Sequence, residues 1–150
     1  MTRRPATAAH CGRLIGLDPG SKTVGVALSD LSRMVASPAE ALRRGNFGAL
    51  AARLETLIEA EKVAGLIVGL PLNMDGSQGL SAQSARQFAE NLAARLGIPV
   101  ALWDERLSTA VVERTLIDAD LSRRRRAELV DKLAAAYILQ GALDYLARHG

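Results

Sequence analysis

Two short apolar segments near the start of the chain lie on either side of a turn sequence that contains an acid. Residues 14–17 have the length of a β-strand, and residues 24–28 alternate between large apolar and smaller side chains. Between them, Asp18-Pro19-Gly20 suits a tight turn, because proline favours the second turn position and glycine the third. The pattern predicts a β-hairpin with Asp18 at its mouth.

Asp18 has two interpretations at this point. Aspartate commonly begins turns, because its side chain accepts hydrogen bonds from the backbone two residues further on. A carboxylate at the end of a strand is also a suitable metal ligand or proton acceptor. The second interpretation requires other acidic residues to reach the same place, so the rest of the chain decides between the two.

Length and composition fit one compact domain. The chain has 150 residues, of which 49% are hydrophobic and 23% charged, which is typical of globular proteins. The longest apolar run, residues 65–72, is too short to cross a membrane, so we expect no membrane partner and a cytoplasmic location. Residues 1–12 lack the apolar core of a secretory signal and are expected to be a disordered tail before a single domain at 13–150.

Histidine and cysteine are too scarce for several kinds of catalytic site. Cys11 is the only cysteine, and the two histidines, His10 and His149, lie near the chain ends. A disulfide, a cysteine-based zinc cluster and a Ser-His-Asp triad are therefore excluded from the body of the fold. Any catalysis must rely on carboxylates.

The basic residues are mostly arginine. The net charge is +3, and only Lys22, Lys62 and Lys132 among the 19 basic residues are lysines. The planar guanidinium binds phosphate oxygens well, so this bias fits a nucleic-acid partner, and it fits an arginine-rich genome equally well. Four consecutive arginines precede the last predicted helix, and we predict that they contact nucleic-acid phosphates: Arg123, Arg124, Arg125 and Arg126.

The remaining chain alternates between helix and strand patterns. The predicted elements are an edge strand within 34–42 that contains Pro38, a helix from Phe47, a central buried strand at 63–70, a helix at 81–96, a buried strand at 98–103, and helices at about 109–117 and 127–148. Periodicity places Phe88, Trp103 and Tyr137 in the core. This order predicts an α/β fold with a five-stranded mixed sheet and helices on both faces.

Acidic residues follow two of the parallel strands and begin the last helix. Ligands bind at the carboxyl ends of parallel strands, where Asp18 ends the first strand and Asp104 and Glu105 end the last. Asp131 can reach the same edge from the final helix, because its neighbours Ala134 and Ala135 are small. Clustered carboxylates repel one another, so the pattern predicts a hard divalent cation, Mg²⁺ or Mn²⁺.

Four segments resemble the signature blocks of the YqgF family, in the order found in that family. They are residues 17–27, Val-Gly-Leu-Pro-Leu-Asn-Met-Asp-Gly at 68–76, Asp-Glu-Arg-Leu-Ser-Thr at 104–109, and residues 131–135. The resemblance covers 13–146 and implies a ribonuclease H-like fold. It also implies that Asp18, Glu105 and Asp131 are catalytic carboxylates that hold two metal ions. In the wider resolvase pattern the buried strand carries an acid, whereas here it ends at Pro71 and Asn73, so Glu105 supplies the second ligand.

The neighbours of these acids are candidates for substrate binding. Lys22 and Arg106 adjoin the acids and suit the substrate phosphate, although Lys22 is equally well explained as a solvated turn residue. Asn73 and the helix start at Ser108 and Thr109 are also placed to meet backbone phosphates, because free helix N–H groups bind anions.

Two further acids have structural explanations. Asp75 precedes glycine and is predicted to form a turn rather than to bind metal. For Asp104, capping or orienting a neighbour is as good an interpretation as metal ligation.

The family described by this resemblance contains Holliday-junction resolvases and nucleases that mature the 5′ end of 16S ribosomal RNA. The resemblance therefore implies a metal-dependent endonuclease that acts on structured nucleic acid, most directly on the 16S precursor, as a monomer or homodimer. A junction resolvase and a non-catalytic factor in ribosome assembly or transcription are the alternatives. A sugar-kinase or actin-type ATPase also opens with an Asp-x-Gly hairpin, but such enzymes need two facing domains.

Overall fold

A computed structural model describes residues 12–73, 75–105 and 123–149, with the helical backbone but not the side chains given for 123–131. The predicted tail up to residue 11, the predicted helix at 109–117, and Arg106, Ser108 and Thr109 lie outside the described residues. Among the described helices, none combines the length and apolar character that a bilayer span requires.

Five strands form one mixed sheet, as predicted. They are β1 (Arg13–Pro19), β2 (Thr23–Ser29), β3 (Ala36–Arg43), β4 (Val63–Leu70) and β5 (Val100–Asp104), in the spatial order β3-β2-β1-β4-β5. β2 pairs antiparallel with both β1 and β3, whereas β4 pairs parallel with both β1 and β5. β3 is an edge strand, which agrees with the proline at its third position.

Helices cover both faces of this sheet. α1 (Phe47–Glu61) and α2 (Leu80–Leu96) pack on one face against the side chains of Ile15, Leu17 and Val68. Local sequence defines these helices: Asn46 accepts a hydrogen bond from the Ala49 amide at 3.0 Å, and Gly97 ends α2 at a φ of 69°.

The long helix α3 (Arg123–His149) covers the opposite face. Its buried residues pack against Leu14, Ala27 and Ile67. Helix and sheet touch directly at Gly16, where a Cβ atom would lie 2.6 Å from the Leu139 Cβ and 2.9 Å from the Ala135 carbonyl oxygen. The absence of a side chain at Gly16 is what lets α3 lie against β1.

The hairpin turn lies further along the chain than predicted. Asp18 and Pro19 belong to β1, where Asp18 pairs with Gly25 and Pro19 with Val24. The turn is formed by residues 20–22 and is closed by the Gly20 amide, which donates to the Thr23 carbonyl at 2.8 Å. The prediction of a turn at 18–20 was wrong because β1 and β2 remain paired through Pro19.

One aromatic residue of α3 lies outside the core, where it was predicted to lie. Tyr137 is 42% exposed, so the prediction for this residue was wrong. Ala135, Leu139 and Leu143 are buried instead, since the close approach at Gly16 favours a face of small and aliphatic side chains. α3 also begins at Arg123 rather than near Ala127, which places the four arginines inside the helix.

β5 is the second edge strand and is only partly buried, whereas a buried strand was predicted. Its apolar side chains still contribute to both cores. Leu102 packs on the α1 and α2 side, and Trp103 packs on the α3 side. This alternation determines which face each neighbouring acid occupies.

Candidate active site

Asp18 and Glu105 meet across the glycine of the strand between them. β4 lies between β1 and β5, and its Gly69 pairs with Trp103 of β5. Asp18 is one residue beyond the Leu17–Val68 pair, so it lies beside Gly69 on the other flank. Because side chains alternate along a strand, Asp18 shares the α3-covered face with Gly16.

Gly69 provides the space in which the Glu105 carboxyl group lies. A Cβ atom at this position would be 2.5 Å from Glu105 Oε2 and 2.6 Å from Ile138 Cδ1. Any other residue would therefore overlap either the carboxylate or the helix that covers it. β4 otherwise consists mainly of β-branched and aliphatic residues. It has glycine at position 69 because the Glu105 carboxyl group occupies the space that a side chain would fill.

Burial and the neighbouring acids raise the pKa of Glu105 to about 8. Loss of hydration is the largest cause, followed by the negative charge of Asp18, a hydrogen bond with Asp18 and the charge of Asp104. The pair of Asp18 and Glu105 therefore keeps a proton to a higher pH than a solvated carboxyl group would, and a hydrogen bond joins the two carboxyl groups. The two acids share one proton where two negative charges would repel.

This acidic pair suits a divalent cation. Carboxylate oxygens are the ligands that Mg²⁺ and Mn²⁺ prefer, and a bound cation would offset the repulsion that the shared proton now relieves. Within the described residues, no three Asp, Glu, His or Cys side chains form a ready-made ligand set. Asp131 lies in α3 one turn before Ala135, and its side chain is outside the described residues.

The remaining predicted residues are distributed around this edge of the sheet. Lys22 is exposed on the β1–β2 turn. The Asn73 carboxamide donates to the Ser77 hydroxyl at 3.0 Å, and Ser77 in turn donates to Asp75 Oδ1 from its amide at 2.9 Å. The turn role of Asp75 is confirmed, whereas a phosphate contact by Asn73 stays a prediction. The side chains of Arg123, Arg124, Arg125 and Arg126 lie outside the described residues.

Sequence reasoning missed three residues near the site. Gly69 was passed over as part of a buried strand, although a glycine within such a strand signals close approach of another group. Arg43 and Lys132 line a groove with Lys22 at the same edge of the sheet. Arg43 directly follows the predicted edge strand, and Lys132 lies in the family block at 131–135. Their proximity depends on strand order, which the local sequence does not contain.

The fold is the ribonuclease H-like fold of Holliday-junction resolvases. RuvC from Thermus thermophilus superposes with a TM-score of 0.54 at 16% identity, over 91% of this chain and 96% of RuvC. The yeast mitochondrial Holliday junction resolvase Ydc2 gives a TM-score of 0.51 at 14% identity, over 92% of this chain and 80% of Ydc2. At these identities the likeness concerns the fold alone, and it confirms the predicted fold class.

The chain belongs to the RuvX family, whose model is described as Holliday junction resolvase and matches residues 12–145. Relatives from Gluconacetobacter diazotrophicus and Paramagnetospirillum magneticum, each named "Putative pre-16S rRNA nuclease", are 59% and 57% identical to it. The first match covers 88% of this chain and 86% of the relative, and the second covers 93% and 90%. The resemblance to the YqgF family is thereby confirmed.

Proposed function

We propose that this protein is a metal-dependent endonuclease that hydrolyses phosphodiester bonds in the maturation of the 5′ end of 16S ribosomal RNA. The observation that carries the proposal is the Asp18–Glu105 pair, in which the two carboxyl groups are joined by a hydrogen bond and the Glu105 carboxyl group lies against Gly69. A buried acid with a strongly raised pKa beside a second acid is typical of functional sites. The names of the relatives supply the substrate class.

We assign Asp18, Glu105 and Asp131 as the catalytic carboxylates and as the ligands of Mg²⁺ or Mn²⁺. Two bound ions would supply an activated water and a stabilised leaving oxygen, which is the chemistry of two-metal hydrolysis. Glu105 must first release the proton it shares with Asp18, because a ligand carboxylate is ionised. We further propose that the protein acts in the cytoplasm, as a monomer or a homodimer.

Resolution of Holliday junctions is the second candidate function. It is supported by the description of the matching family model. Both functions use the same acids and the same hydrolytic chemistry, so they differ in the nucleic acid that reaches the site. The substrate must therefore be tested directly.

The test is a cleavage panel with a precursor 16S RNA fragment, a linear duplex and a four-way junction, each with Mg²⁺, Mn²⁺ or a chelator. We expect metal-dependent cleavage of the precursor RNA. Asp18→Asn should lower that cleavage by several orders of magnitude, because a neutral amide cannot offset the charge of two cations. The variant should remain folded, since asparagine still accepts the hydrogen bond from Glu105 and relieves repulsion in the metal-free protein.

The outcomes separate the candidates. Cleavage confined to the four-way junction would replace ribosomal RNA maturation by junction resolution. Parental activity in Asp18→Asn would overturn the site assignment itself. Binding of these nucleic acids without cleavage in any metal would support the non-catalytic alternative.

A further inference from the structure

A cationic groove lies at the edge of the sheet beyond the acidic pair. It has a volume of about 550 Å³ and is lined by Lys22, Thr23, Glu40, Ala41, Leu42, Arg43 and Lys132. These residues come from the β1–β2 turn, the start of β2, the second half of β3 and α3. The groove is therefore built by elements that are distant in the chain and held by the sheet and the long helix.

The three basic residues of this groove take part in none of the ion pairs of the described residues. Those ion pairs join Arg13, Arg53 and Arg95 each to a glutamate. In the described part of the chain, by contrast, neither Lys22, Arg43 nor Lys132 has a carboxylate within ion-pair distance. Three cations without an ion pair among the described residues, placed around one concave surface, favour a ligand with several negative charges.

The acid that lines the groove does not cancel this charge. Glu40 accepts two hydrogen bonds from Arg53, at 2.9 Å from Nε and 2.8 Å from Nη2. This fork-shaped contact with a cation of α1 is the main cause that lowers the pKa of Glu40, and the positive charge of Lys132 contributes as well. With three basic residues and one acid in its lining, and that acid bonded to Arg53, the groove keeps a positive charge that is available to a ligand.

The groove and the acidic pair share one edge and one face of the sheet. Arg43 pairs with Thr23, and Thr23 lies on the same face as Ala27, which packs against α3. Asp18 of β1 faces the same way. Two strand spacings separate β1 from β3, which amounts to about 9.5 Å across the sheet, so the groove lies close to the acidic pair.

The turn that carries Lys22 is held in a defined position. Arg44 donates from Nη1 to the Gly20 carbonyl at 2.7 Å and from its backbone amide to the Lys22 carbonyl at 2.9 Å. Its other Nη donates to the Ser84 hydroxyl at 2.7 Å, and the guanidinium lies 5.1 Å from the centre of the Phe88 ring. Arg44 therefore fastens the Lys22 turn to α2.

We propose that this groove binds the phosphodiester backbone of the nucleic acid beside the cleaved bond, with Lys22, Arg43 and Lys132 as the phosphate contacts. The inference rests on the proposed nuclease function and adds a binding site to it. The contacts are to phosphates, so they position the substrate without reading its sequence. The groove therefore contributes affinity that is similar for all sequences and sensitive to salt.

The test is a binding titration over a range of salt concentrations, in chelator so that no cleavage occurs. The probes are a labelled single-stranded RNA and a linear duplex DNA. The triple variant Lys22→Gln, Arg43→Gln, Lys132→Gln should lower the slope of log affinity against log salt by about 2 for the single strand and about 3 for the duplex. Saturating substrate with Mg²⁺ should restore most of kcat, because the loss lies in binding.

Two matched variants control for charge and for folding. Arg86→Gln, Arg95→Gln, Arg148→Gln removes the same charge from surface positions outside the groove and should leave the slope unchanged. The exchange Lys22→Arg, Arg43→Lys, Lys132→Arg keeps the charge and should retain the parental slope. If the triple glutamine variant fails to fold, Arg43→Gln alone should still lower the slope by about 0.7 for the single strand.

If the parental protein binds and cleaves but the groove variant has an unchanged salt slope, the proposal that the groove binds phosphates is wrong. The nuclease proposal would then remain intact. Equal losses in the groove variant and in the Arg86, Arg95, Arg148 variant would also overturn the groove proposal, because binding would then be diffuse. A parental protein that binds neither probe would overturn both proposals together.

Discussion

Gly69→Ala adds a single methyl group at the centre of the candidate site. The new Cβ would lie 2.5 Å from Glu105 Oε2 and 2.6 Å from Ile138 Cδ1, whereas ordinary contact begins near 3.4 Å. Both neighbours are the ends of side chains, so they can move without displacing the backbone. Glu105 must then shift by about 0.9 Å, the difference between 3.4 and 2.5 Å.

The effect on stability should be modest and the effect on activity large. Overpacking of this kind costs about 1–3 kcal/mol, and the loss of glycine flexibility in the unfolded chain returns about 0.4–1 kcal/mol. We expect a net loss of about 1–2 kcal/mol in the free energy of unfolding. A displacement of about 1 Å in a reacting group lowers rates about 100-fold, so cleavage should fall by about that factor.

Urea unfolding and metal-dependent cleavage of precursor RNA measure the two effects separately. Gly65→Ala is the matched control, because it makes the same change in the same strand. Its Cβ would lie 3.4 Å from both Leu14 Cδ2 and the Pro99 carbonyl oxygen, which are ordinary contacts. Equal activity in Gly69→Ala and Gly65→Ala would refute the placement of Glu105 in the active site.

Three further predictions concern charge and packing. The raised pKa of Glu105 means that the folded protein keeps a proton that the unfolded chain has already released. The metal-free protein should therefore lose about 2–4 kcal/mol of stability as pH rises from 4.5 to about 8. In urea unfolding, the midpoint of Glu105→Gln should depend less on pH over this range. Gly16→Ala should cost about 3 kcal/mol in urea unfolding, because its Cβ meets the Ala135 carbonyl oxygen at 2.9 Å and backbone cannot move aside. Replacing Arg123 to Arg126 with serine should flatten the salt dependence of nucleic-acid binding in the same titration.

The sheet was predictable because its strands differ sharply in hydrophobic pattern. The continuous apolar run at 63–70 could only be a strand buried on both faces, and Pro38 allowed only an edge position for β3. The extent of the β1–β2 pairing was not predictable. It depends on cross-strand contacts that continue through Pro19, and a local Asp-Pro-Gly signal does not contain them.

The meeting of Asp18 and Glu105 was predictable because both residues end parallel-sheet strands. The groove was not predictable from the sequence, because Arg43 and Lys132 become neighbours only through the order of β2 and β3 and the path of α3. The exposure of Tyr137 was missed for a related reason. α3 passes close to the sheet at Gly16, and this close contact favours small side chains such as alanine over tyrosine. The face of α3 that carries Tyr137 is therefore turned away from the sheet.

Two acids of this chain show how a structural carboxylate differs from one retained for chemistry. Asp30 accepts hydrogen bonds from the Ser32 hydroxyl and from the amides of Val35 and Met34, and these contacts lower its pKa to about 2. Its negative charge therefore stabilises the loop in which it lies. Glu105 has the opposite shift, so its negative charge opposes folding, and the glycine that accommodates it weakens a central strand as well. The unfavourable charge of Glu105 and the glycine in the central strand both lower stability at one edge of the sheet. A metal-binding function explains both, because a bound cation would turn the same acids into a stabilising pair.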